Sequence, residues 1–219
     1  MEEFSSEVTF ALEQIAGVIL AGGRSTRMGH DKAWIETEGQ PLLLRQIRLL
    51  EQAGLRDIAI AAGPENRSAL PSTPEDIPLL RDSRPDLGPL AGVAAGLHWA
   101  HSRQPSGWTL LIAVDLPALS THWLQRLMAR ITPKAGCVPM RHGQLEPLAA
   151  VYPNRMAALA HDFLDTCMDN KKASVQGFCR RGLENGWMSS WELSPQDHPT
   201  LTNWNFPSDW SSGQPVRAQ

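Results

Sequence analysis

At 219 residues, with 42% hydrophobic and 20% charged side chains, the chain has the balance of a globular protein that can bury a sizeable core, and it suits one α/β domain. A net charge of −3 and a pI near 6.2 argue against a general nucleic-acid or anionic-membrane surface, so cations that bind phosphate must be concentrated locally. Cys137, Cys167 and Cys179 lack C-x-x-C spacing, which argues against a disulfide framework or zinc knuckle and fits a reducing cytoplasm. The acidic start Met1-Glu2-Glu3-Phe4-Ser5 does not read as a secretory leader, and no apolar run approaches the roughly 20 residues of a membrane span.

Residues 1–14 read as a loose, flexible N-terminal extension. The apolar run Ile15-Ala16-Gly17-Val18-Ile19 is a short buried strand. It leads directly into Leu20-Ala21-Gly22-Gly23-Arg24-Ser25-Thr26-Arg27-Met28-Gly29-His30-Asp31-Lys32. Glycines let backbone N–H groups approach and point at an anion, and arginine and lysine neutralise the charge that amides cannot, so this composition reads as a polyphosphate cradle. The spacing fits neither a Walker loop, since Ala33 follows Lys32, nor the G-x-G-x-x-G dinucleotide fingerprint.

Pro41 at N1 and Gly54 at C′ bracket a predicted helix whose apolar stripe is Leu43, Leu44, Ile47, Leu50 and Leu55. Asp57–Ala62 reads as the second strand, ended by Gly63-Pro64. The proline-rich stretch 71–75 reads as a surface connection to a short third strand over 77–80. The segment Asp82-Ser83-Arg84-Pro85-Asp86-Leu87-Gly88-Pro89-Leu90-Ala91-Gly92 feeds a helix with Leu90, Val93, Leu97 and Ala100 on one side. The helix start offers a second anion site.

Trp108–Val114 is a continuous apolar run, the pattern of a strand covered on both faces, and it ends in Asp115-Leu116-Pro117. A carboxylate at that position is either a turn or capping residue or, opposite a triphosphate, a ligand for Mg²⁺. Ser120-Thr121 starts a helix through Leu124, Leu127, Met128 and Ile131. Strands are expected over 136–140 and 145–151, and a helix carries Met156, Leu159, Ala160, Phe163 and Leu164. The basic stretch from Lys171 to Arg181 is either a solvated face or, through Arg180 or Arg181, a ligand contact. Residues 187–193 read as an edge strand, and Asn203 and Asn205 either bind a polar ligand edge or cap a helix at 208–210. His98-x-x-His101 is a weak metal pattern without a third ligand nearby, and the eight tryptophans are scattered. The alternation of strands and helices predicts a single Rossmann-like, three-layer α/β domain over 15–210 with a mostly parallel mixed sheet. Residues 211–219 read as a tail.

The stretch Leu20–Lys32 fills every fixed position of L-A-G-G-x-S-x-R-M-G-x-D-K, the signature of nucleotidyltransferases of the nucleotide-diphospho-sugar type. It resembles in particular the molybdenum cofactor guanylyltransferases. Asp82-x-x-Pro85-x-x-Gly88-Pro89-Leu90-x-Gly92, Asp115-x-Pro117, the stretch from Pro147 to Tyr152, and Asn203-x-Asn205 followed by Phe206-Pro207 resemble further motifs of that family, spread to Pro207. The resemblance implies GTP and molybdopterin as substrates, Mg²⁺ as cofactor, and other cofactor-biosynthesis proteins or a recipient molybdoenzyme as partners. It implies a donor side of Leu20, Ala21, Gly22, Gly23, Lys32, Asp82 and Asp115, with Arg27, Lys32 and Asp115 as the catalytic group. The implied acceptor side is Gly88, Gly92, Arg180, Asn203 and Asn205. The chain departs from the pattern at Ala61, where the family commonly carries an Asn against the guanine, and at Phe206, where it carries Thr. Ala61 keeps open a cytidylyltransferase or a sugar-phosphate nucleotidylyltransferase, and a non-catalytic carrier of the pterin cofactor is the alternative of another class.

Overall fold

Six consecutive buried residues make Ile15–Leu20 the central strand β1. The computed structural model describes residues 12–21, 36–37, 39–62, 70–81, 88–167 and 174–204. A small antiparallel hairpin, β2 (Glu36–Thr37) and β3 (Gln40–Pro41), leads into α1 (Leu42–Gln52). Then follow β4 (Ile58–Ala62), β5 (Leu79–Arg81), α2 (Pro89–Arg103), β6 (Trp108–Ala113), α3 (Thr121–Met128) and β7 (Gly136–Arg141). The chain continues through β8 (Gln144–Leu145), β9 (Ala149–Pro153), α4 (Met156–Cys167), α5 (Val175–Glu184), β10 (Met188–Glu192) and a 3₁₀ turn, His198–Leu201.

The main sheet has eight strands in the order β10-β7-β9-β6-β1-β4-β5, with β8 attached to β7. Only β9 and β8 run against the others, so the sheet is mixed but mostly parallel, as expected. Successive side chains of a strand point to opposite faces, and the two cores follow that alternation. Ile15 and Ile19 of β1 pack with α1 and α3 on one face, whereas Val18 and Leu20 pack with α2, α4 and α5 on the other. Three layers result.

Several boundaries differ from the sequence reading for local reasons. Pro41 is the N-cap of α1 rather than N1, because it is still extended (ψ 141) and paired with Glu36. Gly54 does sit at C′, with φ +100; its N–H bonds to Glu51 O and that of Leu55 to Leu50 O, a Schellman closure. The third strand begins at Leu79 instead of 77: Pro78 has no N–H, and Ile77 is turned back onto Pro74 O. The stretch before it is less of a surface connection than expected, since Leu70 and Pro71 are buried. The strand expected over 145–151 is split, because residues 146–148 turn out of the ladder. The buried Tyr152 hydroxyl donates to Pro147 O at 2.8 Å and Ala113 N–H to Leu148 O at 2.8 Å, which fixes that turn beside the end of β6.

Candidate functional site

The crossover from β1 passes through α1 to β4 on one face, and the crossover from β5 passes through α2 to β6 on the other. The order of connection therefore reverses between β1 and β6, and in open α/β sheets such a switch point opens a ligand crevice at the carboxyl ends of the strands. Leu20 is in register with Ala113, and Val114 N–H donates to Leu20 O at 3.0 Å. The end of β1 therefore lies beside Asp115.

Leu20 and Ala21 lie at this crevice with their side chains buried under opposite layers, so only their backbone can face a ligand. Ala21 N–H is committed to Ala61 O at 2.9 Å, so it is not available to a ligand. Asp115 is buried to 9% exposure just beyond β6. Trp204 N–H donates to Asp115 O at 3.1 Å, so the C-terminal segment returns to the same crevice and brings the exposed Asn203 beside it. Gly22, Gly23, Arg27, Lys32, Asp82 and Asn205 lie outside the described residues.

The two described glycines of the second motif are small for different reasons. Gly88 caps α2 at φ +66, ψ −153, a region only glycine adopts readily, while a Cβ there would meet nothing within 4 Å. Gly92 has ordinary backbone, but a Cβ would come 3.1 Å from Leu20 Cδ2 and 3.8 Å from Ala61 Cβ. Its missing side chain lets α2 close onto the ends of β1 and β4. Ala61 is consequently sealed under α2 and its side chain does not face the crevice.

Arg180 is exposed on α5, between the carboxyl edge of the sheet and the opposite one. The first turn of α5 lies at the carboxyl edge, where Gln176 Nε2 donates to Leu145 O. Gly182 packs on Met156 and Met188 at the opposite edge, and the exposed Arg180 is only two residues before it. Arg181 pairs with Glu184 at 3.2 Å on the solvated face.

Sequence reasoning missed the clamps around Asp115. Gln46 interrupts the apolar face of α1, fully buried, and donates to Leu116 O at 2.8 Å and Val114 O at 3.4 Å. A polar residue on an apolar stripe was the available signal. Arg45 Nη2 donates to Leu119 O at 3.0 Å, tying the same loop to α1. On the β7 side, Arg141 pairs with Glu146 at 2.7 Å and donates to His198 O at 3.2 Å.

The segment leading back to Trp204 is anchored by Asp197, which takes two bonds from Arg126, at 2.7 and 3.1 Å, and one from Ser194 Oγ at 2.8 Å. The Arg126 hydrogen bonds, opposed in part by burial, hold its carboxyl below the usual 3.8. A depressed carboxylate contributes stability that is fully present above its unfolded value and is lost as the pH falls through its folded value. Asp197→Asn is expected to destabilise the protein by about 1–2 kcal/mol at neutral pH, Arg126 being partly solvated. In urea unfolding, the gap to the native protein should close as the pH falls below 3.8.

Asp115 fits a hard divalent cation held by one or two carboxylates together with phosphate oxygens and water. The donor is a carboxylate oxygen of a buried side chain, at the strand end where the phosphates of a crevice ligand would lie. Among the described residues there is no group of three metal-ligating side chains, and no helix is long and apolar enough to cross a membrane.

The three-layer mixed sheet, with Asp115 at the switch-point end of β6, belongs to a nucleotidyltransferase, as the family match shows. Residues 17–177 match the family described as MobA-like NTP transferase domain, and the chain belongs to that family. It is 32% identical over 195 residues to a protein of Opitutus terrae named probable molybdenum cofactor guanylyltransferase, covering 89% of this chain and 92% of that one. It is 31% identical over 183 residues to the molybdenum cofactor guanylyltransferase of Rhizobium johnstonii, covering 83% and 80%. Among solved structures it resembles molybdopterin-guanine dinucleotide biosynthesis protein A of Archaeoglobus fulgidus, with a TM-score of 0.65, 17% identity, and 90% and 96% of the two chains covered. At that identity the likeness concerns the fold alone. Enzymes of this kind typically use a divalent metal ion.

Proposed function

We propose that this protein transfers GMP from GTP to molybdopterin carrying its molybdenum, forming the guanine dinucleotide cofactor. An oxygen of the pterin's terminal phosphate attacks the α-phosphorus of GTP, a new P–O bond forms, the bond to the β-phosphate oxygen breaks, and pyrophosphate leaves. The observation that carries the reading is the pairing of a full L-A-G-G-x-S-x-R-M-G-x-D-K stretch with a buried Asp115 on the adjacent strand end. Relatives named guanylyltransferase over most of both chains support the choice of reaction.

The reaction asks for alignment and charge neutralisation more than for a covalent nucleophile. The backbone of Leu20 and Ala21 lines the donor side, and amides of Gly22 and Gly23 hold phosphate oxygens. Arg27 and Lys32 stabilise the charge growing toward pyrophosphate, and Asp82 meets the base or ribose. Asp115 would hold Mg²⁺, which would lower the charge on the phosphates that react. Gly88 and Gly92 border the acceptor phosphate, and Asn203 and Asn205 offer both donors and acceptors to the pterin edge. The protein works in the cytoplasm beside other cofactor-biosynthesis proteins or a recipient molybdoenzyme.

The departure at Ala61, where the family commonly carries an Asn, keeps open one second reading, the same transfer with another base. Thermal unfolding with GTP, CTP, ATP or UTP and Mg²⁺ separates the two. A ligand at 100 times its Kd adds about 2.7 kcal/mol, or about 5–10 °C for a domain of this size. GTP alone is expected to give that shift, and GTP with reduced molybdopterin to release pyrophosphate. A shift with CTP instead would transfer the reading to a cytidylyltransferase, and no pyrophosphate with any nucleotide would point to a carrier.

A further inference from the structure

Asp115 is held by its neighbours' carbonyls, and the side chain that holds them is an unusual occupant of a core position. Gln46 is fully buried on α1 between Leu43, Ile47 and Leu50. Burying a primary amide is costly unless its donors are paired, and Nε2 is paired with two carbonyls, Leu116 O at 2.8 Å and Val114 O at 3.4 Å. These are the residues on either side of Asp115. Oε1 has no partner among the described residues, so the hydrogen bonding of this amide is directed at that one loop. Methionine would fill nearly the same volume without the polar cost, which makes a purely packing role a poor account of glutamine here.

The loop is held from other directions as well. Val114 N–H is bonded to Leu20 O at 3.0 Å and Asp115 O accepts from Trp204 N–H at 3.1 Å. With peptide groups before and after Asp115 tied to α1, β1 and the C-terminal segment, the direction in which its Cβ leaves the backbone is set.

We propose that Gln46 is a positioning residue for the reaction: its amide, clamping the carbonyls of Val114 and Leu116, aims the Asp115 carboxylate at the metal-phosphate site. The inference rests on the reading of Asp115 as a metal-holding residue. Outer partners of metal ligands are typically worth 10–100-fold in metal affinity or activity, and a misplacement of about 1 Å can cost about 10²-fold in rate.

The test measures Mn²⁺ binding by electron paramagnetic resonance in the presence of GTP, alongside steady-state turnover. Gln46→Met keeps the volume and removes the donor; Gln46→Asn keeps the amide and withdraws it by one methylene. Whichever folds is expected to bind Mn²⁺ at least about tenfold more weakly and to lose about 10–100-fold in kcat, with KM for GTP little changed. In an Asp115→Ala background the same change should weaken Mn²⁺ binding no further, because coupled residues are not additive. A folded variant with native Mn²⁺ affinity and kcat overturns the proposal, as does a full second loss on top of Asp115→Ala. If Asp115→Ala itself binds Mn²⁺ as the native protein does, the metal reading fails. If it does not, and Gln46→Met or Gln46→Asn does, only the role of Gln46 fails.

Discussion

Asp115→Ala is expected to lower kcat for pyrophosphate release about 10³-fold while the thermal unfolding curve stays close to that of the native protein. The magnitude follows from what a metal-holding carboxylate supplies in phosphoryl chemistry. Charge stabilisation by a positioned cation is worth several kcal/mol, and about 4 kcal/mol is a factor of about 10³. The fold should persist because the backbone bonds of the loop to Leu20 O, Gln46 Nε2 and Trp204 N–H are left in place by alanine. Circular dichroism and unfolding establish the fold, and single-turnover pyrophosphate release at saturating GTP and Mg²⁺ establishes the chemistry. Asp115→Asn keeps the shape, removes the charge, and is expected to lose nearly as much. Normal turnover in either variant would show that the residue is a turn former after all.

Asp115 was legible before the structure because two independent local patterns coincide on it: a strand apolar on both faces, and a polar residue where that strand must end. β1 and β6 were legible for the same reason, since a run of six residues that is apolar throughout in β1 and apolar but for Thr109 in β6 has no place except the middle of a covered sheet. The stripe of α2 was read from Leu90, Val93, Leu97 and Ala100, all of which are buried. What local sequence does not carry is which distant group a side chain meets. Gln46 could be marked as polar on an apolar face, but its partners lie 68 and 70 residues away. The same limit applies to the C-terminal segment, which is bonded at Asp197 to Arg126 across 71 residues and meets Asp115 through Trp204 N–H. Arg180 shows a second limit. Its charge suggested a phosphate, yet where it lies along the sheet depends on the direction of α5, which the order of elements sets and the helix's own sequence does not. Ala61 shows a third, because strand alternation puts its side chain under α2 whatever the base.

The largest effect on stability is expected at Gly136, and a comparison with Gly143 separates the two reasons a glycine can be required. Gly136 opens β7, where a Cβ would sit far inside van der Waals contact distance of Val151 O and 2.9 Å from Pro153 Cδ. The clash cannot be relieved by moving the residue. Its N–H is bonded to Trp187 O at 3.0 Å, and Ser189 Oγ donates to its carbonyl at 3.0 Å, so β9 and the β10 side hold it from both directions. Gly136→Ala is expected to cost about 3 kcal/mol or more, the upper part of the range for overpacking, and to lower Tm by about 6–12 °C. Gly143, in the turn between β7 and β8, has φ +74 and nothing within 4 Å of a Cβ. Gly143→Ala should cost only about 1 kcal/mol, the penalty for a left-handed backbone conformation. The effect at Gly136 should also reach the crevice, since β9 lies between β7 and β6 and Ala149 is in register with Ile112, three residues before Asp115. Displacing β9 therefore displaces the strand end that carries the carboxylate. Residual activity in Gly136→Ala should fall below that of Gly143→Ala even at a temperature where both are folded. Equal melting of the two alanine variants would mean that the β7–β9 approach is looser than its geometry states.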